Sequence, residues 1–408
     1  MSTERGGRPA TGVTAPLGFR AAGVTAGLKP SGSSDLAVVV CDGPRQDAAG
    51  VFTRNRVQAA PVLWSRQVVA GGRVGAVLLN SGGANACTGA AGFATTHASA
   101  EATARALQAQ GLDVGAGQVA VCSTGVIGVH EDVWAQRLLA GVPDVVAAAT
   151  HDGGAAAAQA VMTTDTVAKQ AVAHVDVTGA DDGARVTVGG LAKGAAMLAP
   201  ALATMLAVVT TDAVAPPAVL DRVLRAATAT SFDRVDTDAC MSTNDTVLLV
   251  ASGASDVEPD VDALADAVAQ VCADLARQMV DDAEGATKHV RVHVTSAATT
   301  EDAREVARAV GRSTLLKCAL AGEDPNWGRV LSAVGTTAAA FDPDRLDVDL
   351  QGVGVCRGGV RAADESLVDL SGRHVEVHVD LHAGGASDEV WTTDLTTEYV
   401  RLNAEYTT

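Results

Sequence analysis

Aromatic residues are scarce: Phe, Trp and Tyr make up 3% of the 408 residues, against 48% for all hydrophobic types. A core without large rings must be assembled from Ala, Val and Leu, and 42 glycines let backbones approach closely. Such small side chains suit layered α/β packing. Basic residues are outnumbered, with 30 Lys and Arg against 48 Asp and Glu, giving a formal net charge of −18. That balance excludes the basic face a nucleic-acid binder needs, and it argues equally against an anionic membrane surface. A well-solvated cytoplasmic protein is the expectation.

The seven cysteines include no CxxC pair, so neither a zinc ribbon nor a disulfide framework is indicated, and reduced thiols are the simplest account. HExxH is missing, "VGGLAKGAA" lacks the P-loop spacing, and "RAAGVTAG" carries no dinucleotide fingerprint. The longest apolar run, Met197–Val209, is 13 residues long and includes Pro200 and Thr204, too short for a bilayer span. "MSTERGGRPATG" at the start has no apolar h-region and does not read as a secretory signal.

Residues 1–34, rich in Gly, Ala and Ser, read as a loose arm at their start. "DLAVVVCD" (Asp35–Asp42) and "RVGAVLLN" (Arg73–Asn80) have the length and continuity of buried strands. "VFTRNRVQAAPV" between them reads as a further extended segment. A helix is expected from Ala94 to Gln110, then a strand and Gly-punctuated turn over Gln118–Gly128, a helix-rich stretch to Met162 and a strand over Ala184–Gly194. Pro216 and Pro217 open a helix, "NDTVLLVASG" is a strand, and Asp260–Val280 is an amphipathic helix with Leu264, Val268, Val271, Leu275 and Met279 on one stripe. "KHVRVHVTS", "RLDVDLQG" and "HVEVHVDLHAG" alternate with period two, and Thr300 reads as the cap of a helix with Glu301 and Asp302 in its first turn and Gly311 after its end. The last third therefore reads as an α+β unit with half-exposed strands, set off by a boundary near residue 290.

Few residues suggest chemistry on their own. His374, His378 and His382 share one strand face, but four strand residues separate neighbours by ~13 Å, which argues against a shared metal ion. Nothing positions Ser123 and His130 as parts of a triad. Thr204 is the one polar residue between Leu198 and Val209. A threonine hydroxyl is a poor nucleophile unless a base stands beside it. Cleavage of the bond before it would make its own α-amine that base. Taken alone, a buried structural threonine is the commoner explanation.

The surroundings of Thr204 shift that balance. "KGAAMLAPALATMLAVVTTD" (Lys193–Asp212) resembles the cleavage segment of the ornithine acetyltransferase family, the bifunctional glutamate N-acetyltransferases of arginine biosynthesis related to N-terminal-nucleophile hydrolases. "NSGGANACTG", "CSTGVIG", "MTTDTVAK", "STNDTVLL", "DAEGATKHV", "GEDPNWGRVLSAVG" and "YVRLNAEYTT" look like family segments in family order, covering the chain essentially end to end.

The resemblance implies a four-layer αββα sandwich over residues 1–290 and a smaller C-terminal α+β domain over 291–408 whose tail returns to the active site. It implies self-cleavage between Ala203 and Thr204, giving an α chain of residues 1–203 and a β chain from 204, usually assembled as an α2β2 heterotetramer. Thr204 would take the acetyl group of N2-acetylornithine as an ester and pass it to glutamate, with no cofactor or metal, and with acetyl-CoA open as a second donor. Thr124 and Gly125 match the family's oxyanion hole; Thr163, Lys193, Thr204, Glu284, Asn403 and Thr408 match its substrate positions. A cation and an anion suit amino-acid substrates; the bland alternatives are a surface lysine, a loop glutamate, a helix-end threonine and a frayed tail.

Two positions depart from the family pattern. Ala196 stands where glycine is usual, which would strain the loop if positive φ is required there, and Ala168 replaces a usual proline. An aminopeptidase or amidase on the same scaffold, with water as acceptor, is the alternative enzyme, and a non-catalytic binding protein the alternative of another class.

Overall fold

The computed structural model describes residues 11–176, 185–199 and 205–405. The chain begins with β1 (Phe19–Val24), β2 (Leu36–Cys41), β3 (Asp47–Phe52), α1 (Ala60–Ala70), β4 (Ala76–Asn80), α2 (Gly89–Ala109) and β5 (Val119–Ser123). Next come α3 (Asp132–Ala147), α4 (Gly154–Ala160), β6 (Lys169–Asp176), β7 (Arg185–Lys193), β8 (Leu206–Thr211), α5 (Pro217–Ala229), β9 (Thr246–Ala251) and α6 (Val261–Asp281). The last third holds β10 (His289–Ala297), α7 (Thr300–Gly311), α8 (Thr314–Ala321), α9 (Trp327–Val334), β11 (Asp347–Leu350), β12 (Val353–Arg357), β13 (Val360–Arg361), β14 (His374–Asp380), β15 (Ala386–Thr393) and α10 (Thr397–Glu405).

Two sheets face each other. One has the order β1-β2-β4-β5, the other β3-β9-β8-β7-β6. β2, β8 and β9 are buried along their whole length, which explains why they read as unbroken apolar runs. Alternate side chains divide between the two faces of each sheet. Phe19, Val39, Val77, Leu79 and Ala120 of the first sheet meet Leu191, Leu206, Val208, Leu248 and Val250 of the second. On the outer face of the first, Val38, Val40, Leu78 and Val121 pack on Leu107 of α2 and Leu138 and Val142 of α3. On the outer face of the second, Val188, Val209, Val247 and Leu249 pack on Leu220 and Leu224 of α5 and on Val268, Val271, Leu275 and Met279 of α6. The result is a helix–sheet–sheet–helix sandwich, the fold class implied by the resemblance.

The last third builds its own apolar cluster. A sheet of order β13-β12-β11-β14-β10-β15 turns Val290, Val292, Val294, Val375, Val377 and Val379 onto Val306 and Val310 of α7, Leu316 and Leu320 of α8 and Val330 of α9. Among the described residues no helix is long and apolar enough to cross a membrane.

Several expectations need correction. "VFTRNRVQAAPV" is not one extended segment: β3 ends at Phe52 and α1 begins at Ala60 with Pro61 in its first turn. Proline's fixed φ and missing N–H suit that first turn. The start of the Gly/Ala/Ser-rich stretch, residues 1–10, lies outside the described residues, and further along it β1 pairs with β2 from Phe19↔Cys41 to Val24↔Leu36. Thr299, not Thr300, caps α7: its side chain accepts from the Asp302 N–H, and the neighbouring threonines cannot be told apart by composition. Ala196 is not among the non-glycine residues with positive φ, so its methyl adds no strain of that kind; Met197, at φ 57°, takes the left-handed conformation instead.

Candidate active site

Lys193 closes β7, and β7 lies beside β8 with Lys193 opposite Leu206. It is not a surface lysine. The residue is 3% exposed, and its Nζ donates to Thr163 Oγ1 (2.9 Å) and Thr124 Oγ1 (3.3 Å). Burial lowers its affinity for a proton, and Asp165 and Glu284 oppose that fall.

Thr124 and Gly125 follow β5 in a turn that is held from several sides. The Thr124 N–H donates to the Asn80 carbonyl, and its own carbonyl accepts from Gly83 N–H, both at 3.0 Å. Asn244 Nδ2 donates to the carbonyls of Ala84 (2.6 Å) and Ser123 (2.8 Å), stapling the two Gly-rich segments together. Gly125 has φ +127°, and a Cβ there would stand 2.6 Å from Gly83 N, so only glycine fits.

Glu284 lies in the loop after α6. Its N–H donates to the Ala195 carbonyl at 2.8 Å, and its Oε2 accepts from Asn403 Nδ2 at 3.0 Å. The helix that carries Asn403, α10, reaches the site because Gly285 has no side chain: a Cβ there would be 2.4 Å from Tyr399 N. Thr396 Oγ1 also donates to the Gly285 carbonyl at 2.6 Å. Over its described residues, α10 is therefore docked against the Glu284 loop.

Thr124, Gly125, Thr163, Lys193, Glu284 and Asn403 line one cavity of about 140 Å³, together with Tyr399, Asp238 and Cys240. Ala203, Thr204 and Thr408 lie outside the described residues. The chain resumes at Met205, whose N–H donates to Asp245 Oδ1 at 3.0 Å. Ser123 and His130 do not form a dyad. Ser123 Oγ donates to Asn80 Oδ1 (2.6 Å), while His130 Nε2 pairs with Thr95 Oγ1 (2.9 Å).

Sequence reasoning passed over a buried ion cluster behind Lys193. Lys169 Nζ bonds Asp165 Oδ1 (2.7 Å) and Asp282 Oδ2 (2.6 Å), and all three side chains are 5% exposed or less. Asp165 also accepts from the Gly194 N–H (2.7 Å) and the Thr163 N–H (3.1 Å), with Lys193 Nζ 3.9 Å away. Burial alone would raise the Asp165 carboxyl; Lys193, Lys169 and the hydrogen bonds outweigh it and pull the pKa down to about 2. Asp245 behaves oppositely. It is fully buried, and burial pushes its carboxyl well above the usual range despite Met205, Ser242 and Lys193. None of these residues has a spacing signature. Asp165 and Asp282 are brought together from distant parts of the chain, and only the "MTTD" and "DAEG" segments that contain them marked their neighbourhoods.

A histidine cluster was also hidden. The parallel pairing of β10 with β14 sets His289 beside His374 and His293 beside His378. Ligand atoms of Asp281, His289 and His374 all lie within 4.8 Å of one another, so this group could hold a metal ion; none of the three lines the cavity above.

Comparison with known proteins gives one consistent answer. The chain matches the ArgJ family over residues 20–408. It is 57% identical over 394 residues to the "Arginine biosynthesis bifunctional protein ArgJ" of Streptomyces coelicolor, covering 97% of this chain and 99% of that protein. The protein of the same name from Thermobifida fusca is 56% identical over 396 residues, covering 97% and 100%. Among solved structures, the ornithine acetyltransferase of Mycobacterium tuberculosis complexed with ornithine is similar at 53% identity and a TM-score of 0.42, covering 49% of this chain and 98% of that one.

Proposed function

The chain belongs to the ArgJ family, and on that premise we propose that it moves the acetyl group of N2-acetylornithine to glutamate in arginine biosynthesis, with acetyl-CoA as the second donor of a bifunctional enzyme. An aminopeptidase reading is not favoured, because the full-length relatives above 50% identity are named for arginine biosynthesis.

The cycle begins with scission between Ala203 and Thr204, which gives Thr204 a free α-amine. That amine takes the hydroxyl proton as Oγ attacks the acetyl carbonyl. Negative charge grows on the carbonyl oxygen, where the Thr124 hydroxyl and the Gly125 N–H donate to it. Ornithine leaves with the proton, and an acetyl-threonine ester remains. The α-amine of glutamate attacks the ester, Thr204 regains its proton, and N-acetylglutamate is released. No resident cofactor or metal enters.

Lys193 sits beside Thr124, so we assign it the substrate α-carboxylate, next to the reacting nitrogen. A carboxylate would replace the two hydroxyls that now accept from its Nζ, with stronger charge-assisted bonds. Glu284, held by Asn403, takes the ammonium group, and Thr163 and Thr408 complete the contacts. The reading also includes the division into residues 1–290 and 291–408, an α2β2 assembly and a cytoplasmic location.

The observation that supports this most is the convergence of Thr124, Gly125, Thr163, Lys193, Glu284 and Asn403 on one cavity. The test is incubation of N2-acetylornithine with and without glutamate. Ornithine release should depend on glutamate, with N-acetylglutamate formed in equal amount. Equal release without glutamate would refute transfer and restore the hydrolase.

A further inference from the structure

The cavity of about 140 Å³ suits an amino acid, yet acetyl-CoA is several times larger than ornithine. If one threonine serves both donors, the coenzyme must lie outside that cavity with only its acetyl end inside. A second groove, of about 590 Å³, shares Gly125, Thr163 and Thr164 with the cavity. Its volume falls within the range of small-molecule sites.

The walls of this groove suit a long, thin arm with apolar segments between its polar groups. Val126 and Val129 come from the loop that follows the oxyanion turn, and Val133 and Trp134 from the first turn of α3. Val129 and Val133 are 43% and 52% exposed and lie together on this lining. Two cations, Lys29 and Arg137, lie on the same lining against one carboxylate, Glu131. Lys29 Nζ already donates to the Ser34 (2.9 Å) and Met162 (2.6 Å) carbonyls, which leaves Arg137 as the cation open to a ligand. Val133 and Arg137 are one helical turn apart on the same face of α3. Arg137 is exposed, donates to the Gly27 carbonyl at 2.9 Å, and makes no ion pair among the described residues.

We propose that this groove holds the pantetheine arm of acetyl-CoA along Val126, Val129, Val133 and Trp134, with its phosphates toward Arg137 and its thioester at Gly125. The inference rests on the bifunctional reading above. The thioester carbon accepts Thr204 Oγ, the C–S bond breaks, and the hydroxyl proton ends on the departing CoA thiol. The acetyl ester is the same one that N2-acetylornithine forms, so both donors converge after this step. N2-acetylornithine itself has no need of the groove.

The experiment measures glutamate acetylation with each donor in wild type, Val133→Asp and Arg137→Glu. Both side chains are exposed, so the fold should be undisturbed, and equal rates with N2-acetylornithine serve as the folding control. The expected result is a KM for acetyl-CoA raised at least tenfold in each variant, with N2-acetylornithine kinetics within twofold of wild type. Wild-type activity with acetyl-CoA that both variants retain unchanged would overturn the groove and leave the bifunctional reading standing. A parallel loss with both donors would also overturn it. A wild-type enzyme inert toward acetyl-CoA would instead overturn the reading on which the groove depends.

Discussion

Replacing Asp165 by Asn removes one charge from the buried cluster while keeping its shape. Lys169 would keep Asp282, but Lys193 would lose the carboxylate 3.9 Å from its Nζ. The folded carboxyl titrates at about 2 instead of the ordinary 3.8. At about 1.4 kcal/mol per tenfold, that difference contributes stability on the order of 2–3 kcal/mol. The folded value is depressed, so this contribution is present above about pH 4 and is lost as pH falls toward 2. Breaking a buried pair by removing one partner typically costs about 3–5 kcal/mol in all, a total that includes this term and the stranded cation. A loss of about 3 kcal/mol is expected. At about 2.1 cal/mol/K of unfolding entropy per residue, that lowers Tm by about 3–4 °C. Calorimetry and urea titration at pH 7 measure it, and the gap between wild type and variant should close between pH 4 and 2. The pair Asp165→Asn with Lys193→Met should be more stable than the sum of the single changes, because the stranded charge is gone. A single variant within 0.5 kcal/mol of wild type, on the order of ordinary surface substitutions, with the same acid limb, would refute the account of the cluster.

Thr204→Ala should give one uncut chain on a denaturing gel and no transfer activity with either donor. Gly125→Ala should lower kcat about 100-fold or more, the usual cost of losing an oxyanion donor, and should also destabilise the fold, since the new Cβ would stand 2.6 Å from Gly83 N. Asp245→Asn tests the buried acid. The folded carboxyl is raised, so wild-type stability should fall as pH climbs above the ordinary carboxyl range, and the asparagine protein should lack that slope. Melting curves from pH 5 to 8 should therefore show the variant gaining on wild type.

Legibility in the sequence followed periodicity and local chemistry. The buried strands of the sandwich appeared as apolar runs and α6 as a stripe, because burial on two faces or one is written directly into residue order. The junction of β3 and α1 was misread because Val51 and Phe52 lie at the end of a strand and a polar loop follows before Pro61 opens the helix. The residues lining the cavity were legible only through the joint family resemblance; alone, Lys193 and Asn403 looked like surface groups. Lys169, Asp282 and Asp245 lay within family-like segments, but their roles were not legible. Their partners come from other elements, and the pairing depends on layer packing that no local pattern encodes. The same holds for His289 and His374, which depend on a parallel register between strands separated by three helices and three other strands.

The order of the second sheet, β3-β9-β8-β7-β6, has a consequence for the proposed scission. β3, β6 and β7 precede Thr204 in the chain, while β8 and β9 follow it. The two products would thus be woven through one sheet, with β8 bonded to β7 on one side and β9 bonded to β3 on the other. Cutting the backbone would divide the polypeptide without dividing the domain. Each fragment alone would expose hydrogen-bonding strand edges and half of an apolar layer, a condition that invites aggregation. The two pieces should therefore copurify under any native condition, and refolding should succeed only when both are present together. Each pair of α and β chains would be two polypeptides by its chain ends and one unit by its folding.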